Sequence, residues 1–420
     1  MIVNPGIRRF LGSAIQRLFN SASFSAPLTH TLVPERGTGS PSFTRASTAT
    51  VVGYGPTDNA ADGLKLLTVA ANEARFVGAR RISEGVWSNT FADGSLIPAA
   101  TNTGYLAEGA RTQILATADI RDMTTAAWTL GATMTRARTS VGADGAANSA
   151  NRLTGGAVAA TNTCYTTIVA AASSRTYSAL VKRVTGTGPV RIVQTGTETD
   201  ISSLINSSTY TLVELNASIL NAVMGFKIDT NGDAIDVDFN QFEAGAFASS
   251  RIAAAVTRAA DSDTYPTAGN FSDTAGTMYA EVTYDVWANA VGSIVGSATQ
   301  GMLPTVNGTK GYDGTNTVTD LNYSPSGTIR MAVSWDGSTM TVAAEGADTV
   351  SGAYDGAWNL SSIGIGLGSF STIRNVRIWN RALSDTELIS ITSAVNSSDL
   401  LMESGYNLLL EDGTSTLLKG

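Results

Sequence analysis

Tyr312, Tyr323, Tyr354 and Trp358 sit in stretches rich in Gly, Asp or Asn, with Asp313 and Asn316 beside the first of them. An aromatic face packs against the C–H surface of a sugar ring, while neighbouring Asp, Asn or Gln side chains hydrogen-bond its hydroxyls. Those residues form the candidate carbohydrate-contacting set, and loop packing is the plainer alternative for each aromatic. Trp335 and Trp379 lie in good strand patterns and are expected in a core.

Asp229-Thr230-Asn231-Gly232-Asp233 alternates oxygen ligands as half of a calcium loop does. The glutamate that closes such a loop is missing, because Gln241 and Glu243 miss the required spacing. Asp229, Asn231 and Asp233 are therefore a weak metal set, to be weighed as a structural calcium site against a plain strand-connecting turn. No other cofactor is expected.

Catalytic groups are sparse. His30 is the single histidine, so a Ser-His-Asp triad or a histidine-rich metal site would have to use it, and no motif surrounds it. HExxH, P-loop and dinucleotide fingerprints are absent from the sequence. A glycosidase needs only two carboxylates. However, no Glu-x-Asp-x-Glu run lines acids along one strand face, and Glu281 and Asp285 share a face at best. The expectation is a non-enzymatic protein. Cys164, the only cysteine, excludes an intramolecular disulfide and reads as a small buried apolar group.

The elements that must position these residues are mostly short strands. Runs such as Thr163 to Val169, Thr176 to Val184, Val190 to Gln194, Tyr210 to Leu215 and Ala222 to Ile228 recur with turn residues between them. Asp236 to Phe242 alternates polar residues with Val237, Phe239 and Gln241, as a half-buried strand does. A second block runs through Thr277 to Val286, Val291 to Val295, Thr328 to Trp335, Thr339 to Ala344, Ser362 to Leu367 and Ile373 to Trp379. Asp336-Gly337 marks a hairpin within it, and Ser384 with Glu387 forms a capping box before a short helix.

The implied fold class is all-β: two antiparallel β-sandwich (jelly-roll) domains preceded by an N-terminal amphipathic helix and a β-rich connector. The boundaries are an attachment helix at 1–20, a connector at 21–115, jelly rolls at 116–262 and 263–396, and a hairpin tail at 397–420. In the helix Ile7, Phe10, Leu11, Ile15, Leu18 and Phe19 share one face. That face is read as docking onto a partner or another subunit, with packing on its own domain and membrane contact as the alternatives.

Composition narrows the class of protein. Of 420 residues, 43% are hydrophobic and only 15% charged, against roughly 25% in an average domain. The resulting surface, rich in Gly, Ala, Ser, Thr and Asn, suits particle-borne or secreted β-proteins. A net charge of −8 with no dense Lys/Arg stripe argues against nucleic-acid binding. No apolar run approaches the roughly 20 residues of a membrane span, and the N-terminus lacks the apolar stretch of a signal peptide. Export inside a particle released by lysis is the expected route.

Several motifs resemble those of bacteriophage structural and tail-associated proteins. Phe43-Thr44-Arg45-Ala46-Ser47-Thr48-Ala49-Thr50, Ala74-Arg75-Phe76 and Leu106 to Leu115 (with Glu108-Gly109-Ala110-Arg111) resemble the opening of such chains. Gln241 to Ser250 with Val256-Thr257-Arg258-Ala259-Ala260-Asp261 is similar to the end of a carbohydrate-binding-module-like jelly roll in the same proteins. Ile373 to Ser384 is similar to the last strand and turn of concanavalin A-like (laminin G-like) domains.

The resemblance implies a virion protein of the tail-fibre, tail-spike, head-fibre or capsid-decoration kind. It would dock to other virion proteins through its N-terminal helix, oligomerise (a homotrimer by analogy) and bind host surface glycan for adsorption. A purely structural decoration or head-tail role without glycan binding is the alternative.

Overall fold

The computed structural model describes residue 15 and residues 17–98, 104–284, 292–305, 308–321 and 327–393. Tyr323, the helix positions Ile7, Phe10 and Leu11, and the C-terminal hairpin expected at 397–420 lie outside the described residues. The chain forms two compact units. A terminal unit comprises residues up to 28, 32–42 and those from 263 onward, and a central unit comprises 29–31 and 43–262. The stretch 21–115, read from sequence as one connector, is shared between them.

The central unit is built on two five-stranded antiparallel sheets. One runs Thr129–Leu130, Thr163–Ile168, Ala222–Ile228, Val190–Gln194 and Thr197–Asp200 in spatial order. The other runs Thr135–Ser140, Ala150–Thr154, Ala234–Ala244, Ser173–Thr185 and Thr211–Ile219. The alternation that suggested strands is also how the sheets are joined. Ala222, Met224, Phe226 and Ile228 turn inward while Val223 and Lys227 are half-buried on the outside. Trp128, Leu153, Cys164, Tyr177, Ile192, Phe226 and Val237 belong to the shared core.

One strand departs from simple alternation. Ser178 pairs with Gln241 and Leu180 with Asp238, so the Ala234–Ala244 strand carries one extra residue there, a β-bulge. Phe239 takes a positive φ of 48° at this point. The bulge reverses the parity of the residues beyond it, so Phe242 rather than Gln241 enters the core. Gln241 is buried on the opposite face, where it accepts a hydrogen bond from Ile252 N at 2.7 Å.

In the terminal unit one sheet runs Val350–Ala353, Thr339–Ala344, Thr328–Asp336, Ala275–Tyr284 and Phe370–Trp379, with Phe24–Ala26 pairing onto the last. The second runs Ser262–Tyr265, Ile363–Ile365, Val295–Gly296, Gly301–Thr305, Gly308–Tyr312 and Thr317–Asp320. Asp336 pairs with Thr339 around a two-residue turn, and Gly337 supplies the positive φ of 59° that such a turn requires.

The helix Asp385–Thr392 opens with the expected capping box, Ser384 accepting from Glu387 N while Glu387 receives Ser384 N. Its Leu388 and Ile391 pack against Tyr279 and Trp379.

At the described positions of the N-terminal helix, Phe19 joins that same cluster, with Ile15 and Leu18 packed against it half-buried, as in the alternative of packing on its own domain. The Phe19 ring lies 5.5 Å from Tyr279 and 6.4 Å from Trp379, the Arg377 guanidinium sits 4.7 Å above it, and Trp379 Nε1 donates to Leu18 O at 2.9 Å. The outer face of the sheet offers these apolar residues a dry surface within their own unit.

Candidate functional site

The aromatic residues selected from loop composition mostly serve packing. Trp358 is fully buried and Tyr354 nearly so. Trp358 stands edge-on to Trp335 at 5.1 Å and 5.8 Å from Tyr354. The Tyr354 hydroxyl donates to Asp273 O at 2.5 Å, and Trp358 N donates to Asp273 Oδ1 at 3.2 Å. Gly, Asp and Asn around these rings make the tight turns that wrap them, so neither ring is open to a ligand.

Asp313 is likewise occupied. Its carboxylate accepts from Thr315 N at 2.8 Å, Asn316 N at 2.6 Å, Asn316 Nδ2 at 3.2 Å and Asp355 N at 3.0 Å. Burial disfavours the charge, but the Asn316, Thr315 and Asp355 amides outweigh it and hold the carboxyl below its usual range. Tyr312 remains half-buried with its hydroxyl on Gly314 O at 2.7 Å, and Asn316 is also half-buried. The structure thus brings Tyr312, Asp313 and Asn316 together as a loop anchor. A shallow concavity of about 400 Å³ elsewhere in this unit is lined by Ser334, Trp335, Asp336, Thr339, Thr341 and Leu383.

The metal set does not converge. Asp229, Asn231 and Asp233 occupy the turn between Ala222–Ile228 and Ala234–Ala244. Asp229 pairs with Arg191 at 3.0 Å, and Asp233 accepts from Gly188 N at 2.7 Å with Arg183 at 3.6 Å. Asn231 is exposed. Among the described residues no three His, Cys, Asp or Glu side chains are arranged to hold a metal. Cys164 is in the core, where burial pushes its thiol up to about 11.

Glu281 is held by Arg374 Nε at 2.7 Å, Asn375 Nδ2 at 2.9 Å and the Tyr279 hydroxyl at 3.3 Å. The His30 ring lies 3.0 Å from the Thr29 hydroxyl.

A more open arrangement lies on the outer face of the first sheet of the central unit. Antiparallel pairing sets Thr129, Tyr165, Gly225, Val193 and Glu198 in one row across five strands. A second row reads Thr163, Lys227, Arg191 and Asp200. Directly paired residues share a face, and Cys164 and Thr166 on the Tyr165 strand point the other way, into the unit.

Gly225 is required here because a Cβ would run into the Cys164 carbonyl and the Tyr165 Cα. Gly225 is itself buried, and Tyr165 and Val193 on either side of it are half-buried, so the three form an apolar strip across the sheet.

Four charges border that strip. Arg191 pairs with Asp229 at 3.0 Å and approaches Glu198 at 3.8 Å. Lys227 lies 3.3 Å from Glu198 and 3.7 Å from Asp229. All four remain partly solvent-exposed, so their contribution to stability is small. Their groups are nonetheless held in place, donors and acceptors side by side.

Sequence reasoning missed this face because it looked for aromatics in loops. The available signal was the outward parity of Tyr165 on a strand whose alternate residues are Cys164 and Thr166.

No model of a known protein family and no curated protein matches the chain. Solved structures similar to it include a CBM22-1 xylan-binding domain from Paenibacillus barcinonensis (14% identity, TM-score 0.25, 34% of this chain and 99% of that one). Another is the LG4-5 pair of the mouse laminin alpha1 chain (9% identity, TM-score 0.20, 67% of this chain and 91% of that one). A third is a Trypanosoma rangeli sialidase (15% identity, TM-score 0.25, 31% of this chain); the chain spans only 26% of that enzyme's length. The sheets themselves define the class: an all-β protein of antiparallel jelly-roll sandwiches.

Proposed function

We propose that this chain is a bacteriophage virion protein that binds host surface carbohydrate through the Tyr165 face of its central unit. The observation that carries the reading is the row Thr129–Tyr165–Gly225–Val193–Glu198 beside the ion-paired quartet of Arg191, Lys227, Glu198 and Asp229. A sugar ring laid on Tyr165 would meet an apolar strip below, with pre-oriented charged donors and acceptors along its edge.

The phage assignment rests on the motif resemblance carried by Arg45, Arg75, Glu108, Arg258 and Asp261. A single half-buried tyrosine supports only weak binding. Oligomerisation, a homotrimer by the same resemblance, would convert it to avidity. Asp229 and Glu198 are already engaged by cations, which favours binding over glycoside hydrolysis.

The test is adsorption competition. Host cells pre-coated with the purified full chain should take up fewer particles in a dose-dependent way, and Tyr165→Ala should abolish the block while leaving the thermal unfolding midpoint unchanged. A folded wild-type chain that leaves adsorption untouched would overturn the glycan reading and favour a decoration role within the particle.

A further inference from the structure

The two large sheets of the central unit end in four edge strands, and a bare edge is a template for a strand from another chain. Three of these edges are blunted. Thr129–Leu130 is only two residues long. Thr197–Asp200 has four residues and carries Glu198 and Asp200. Thr135–Ser140 carries Arg136 and Arg138, and its register shifts between Ala137 and Ser140.

The fourth edge has none of these protections. Thr211–Ile219 runs nine residues in unbroken register against Ser173–Val181. It contains no proline, lysine or arginine, and Glu214 is its single charge. Among the described residues no strand pairs with its free side, and no loop backbone bonds to it.

Its side chains alternate. Val213 is buried in the core, with Leu215 and Ala217 half-buried on the same inner face. Leu212, Glu214, Asn216 and Ser218 turn outward and are exposed, Leu212 at 45%. Leu215 packs against the core from the open margin of the sandwich, where one more strand would cover its remaining surface.

The strand is complementary to itself. Antiparallel pairing that overlaps all nine residues and keeps the inner faces together sets Leu215 opposite Leu215 of a second copy. Val213 then lies opposite Ala217 on that face. On the outer face Glu214 falls opposite Asn216 and Leu212 opposite Ser218, so no like charges meet.

We propose that Thr211–Ile219 is a dimerisation edge, joining two copies of this chain in one continuous antiparallel sheet about a twofold axis at Leu215. Such a contact closes on itself, so it builds a dimer, and the trimer implied by the resemblance would need another surface. The axis stands perpendicular to the sheet, so both copies turn the sheet that bears Tyr165 to the same side. On the carbohydrate reading above, two weak sites would then address one surface, the condition for avidity.

Mass measured by light scattering on the full chain, with no sugar present, tests the edge independently of the Tyr165 site. Wild type should approach twice the chain mass as its concentration rises. Leu212→Lys with Ser218→Lys sets lysine opposite lysine on both sides of the axis, and should be monomeric with an unchanged circular dichroism spectrum. Leu212→Lys with Ser218→Glu sets lysine opposite glutamate and should restore the dimer. A wild-type chain that stays monomeric up to its solubility limit would overturn the proposal whatever the variants do. So would an oligomer of any size that survives the double lysine change, or a charge swap that restores nothing.

Discussion

Arg45 Nη1 donates to Asp261 Oδ1 at 3.0 Å across 216 residues of sequence, and neither side chain is exposed to solvent. The pair ties the first motif of the central unit to its last, with Arg75 and Glu108 bridging between them. Removing one partner leaves the other charged and buried, the expensive half of a buried ion pair. Asp261→Asn is therefore expected to cost about 3–5 kcal/mol, read as a lowered denaturant midpoint. A loss below about 1 kcal/mol would mean the cluster behaves like a surface pair.

The same cluster gives an acid limit. Burial disfavours the Glu108 charge, but Arg258, Arg75 and the Ser250 hydroxyl and amide outweigh it and depress the carboxyl from 4.5 to about 2. A group held below its unfolded value stabilises the fold fully above that value. Glu108 should thus support the central unit above about pH 4.5 and release it as pH falls towards 2. Glu108→Gln should lower stability at neutral pH and flatten the acid limb of a stability-versus-pH curve. An unchanged acid limb in the variant would assign acid unfolding to other carboxylates.

Asp263 predicts the opposite slope in the terminal unit. It pairs with Ile365 in the sheet, so it shares the face of that buried residue, and both its oxygens lack a hydrogen-bond donor among the described residues. Burial pushes it from 3.8 up to about 8, opposed only in small part by Tyr265, whose hydroxyl donates to Leu32 O at 2.6 Å. Between these two values the folded chain holds a proton that the unfolded chain has released. Stability should fall as pH rises through that window, by up to about 1.4 kcal/mol per pH unit. Asp263→Asn, which cannot ionise, should remove the slope and be more stable than wild type at pH 8. An unchanged slope would show that the carboxyl is hydrated when it ionises.

The legibility of each feature depended on how locally it is encoded. Strand alternation, the Asp336-Gly337 hairpin and the Ser384–Glu387 capping box are set by neighbours a few residues apart, and they read correctly. The Phe239 bulge was hidden because one inserted residue reverses parity without changing composition, so plain alternation points Gln241 inward where Phe242 goes. The motifs around Arg45, Arg75, Glu108, Arg258 and Asp261 were visible as words. Their common purpose was not, since Arg45 and Arg75 each meet Asp261 across more than a hundred positions. For the site, Gly- and Asn-rich stretches suggested exposed rings at Tyr354 and Trp358, whereas those residues make turns that enclose them.

The helix illustrates a choice that sequence leaves open. An amphipathic stripe needs an apolar surface, and the stripe alone does not say whose. Phe19 finds it between Tyr279 and Trp379 of its own unit. Phe19→Ala should therefore destabilise the isolated protein by about 3 kcal/mol, visible in thermal unfolding without any partner present. A variant as stable as wild type would return this residue to a partner-docking role.

Trp358 and Tyr165 separate packing from recognition. Trp358 is fully enclosed by Trp335 and Tyr354, so Trp358→Ala should cost about 3–5 kcal/mol of stability. Any loss of adsorption in that variant should track its unfolded fraction and recover on cooling to a temperature where it is folded. Tyr165 instead has its ring on the outer face beside Gly225, with only its strand neighbours Cys164 and Thr166 turned inward. Removing the ring deletes contact area without opening a core cavity, so Tyr165→Ala should abolish binding at unchanged stability. If the dependence were reversed, with Trp358→Ala folded but non-binding and Tyr165→Ala fully competent, recognition would belong to the loop end of the terminal unit rather than to the sheet face of the central one.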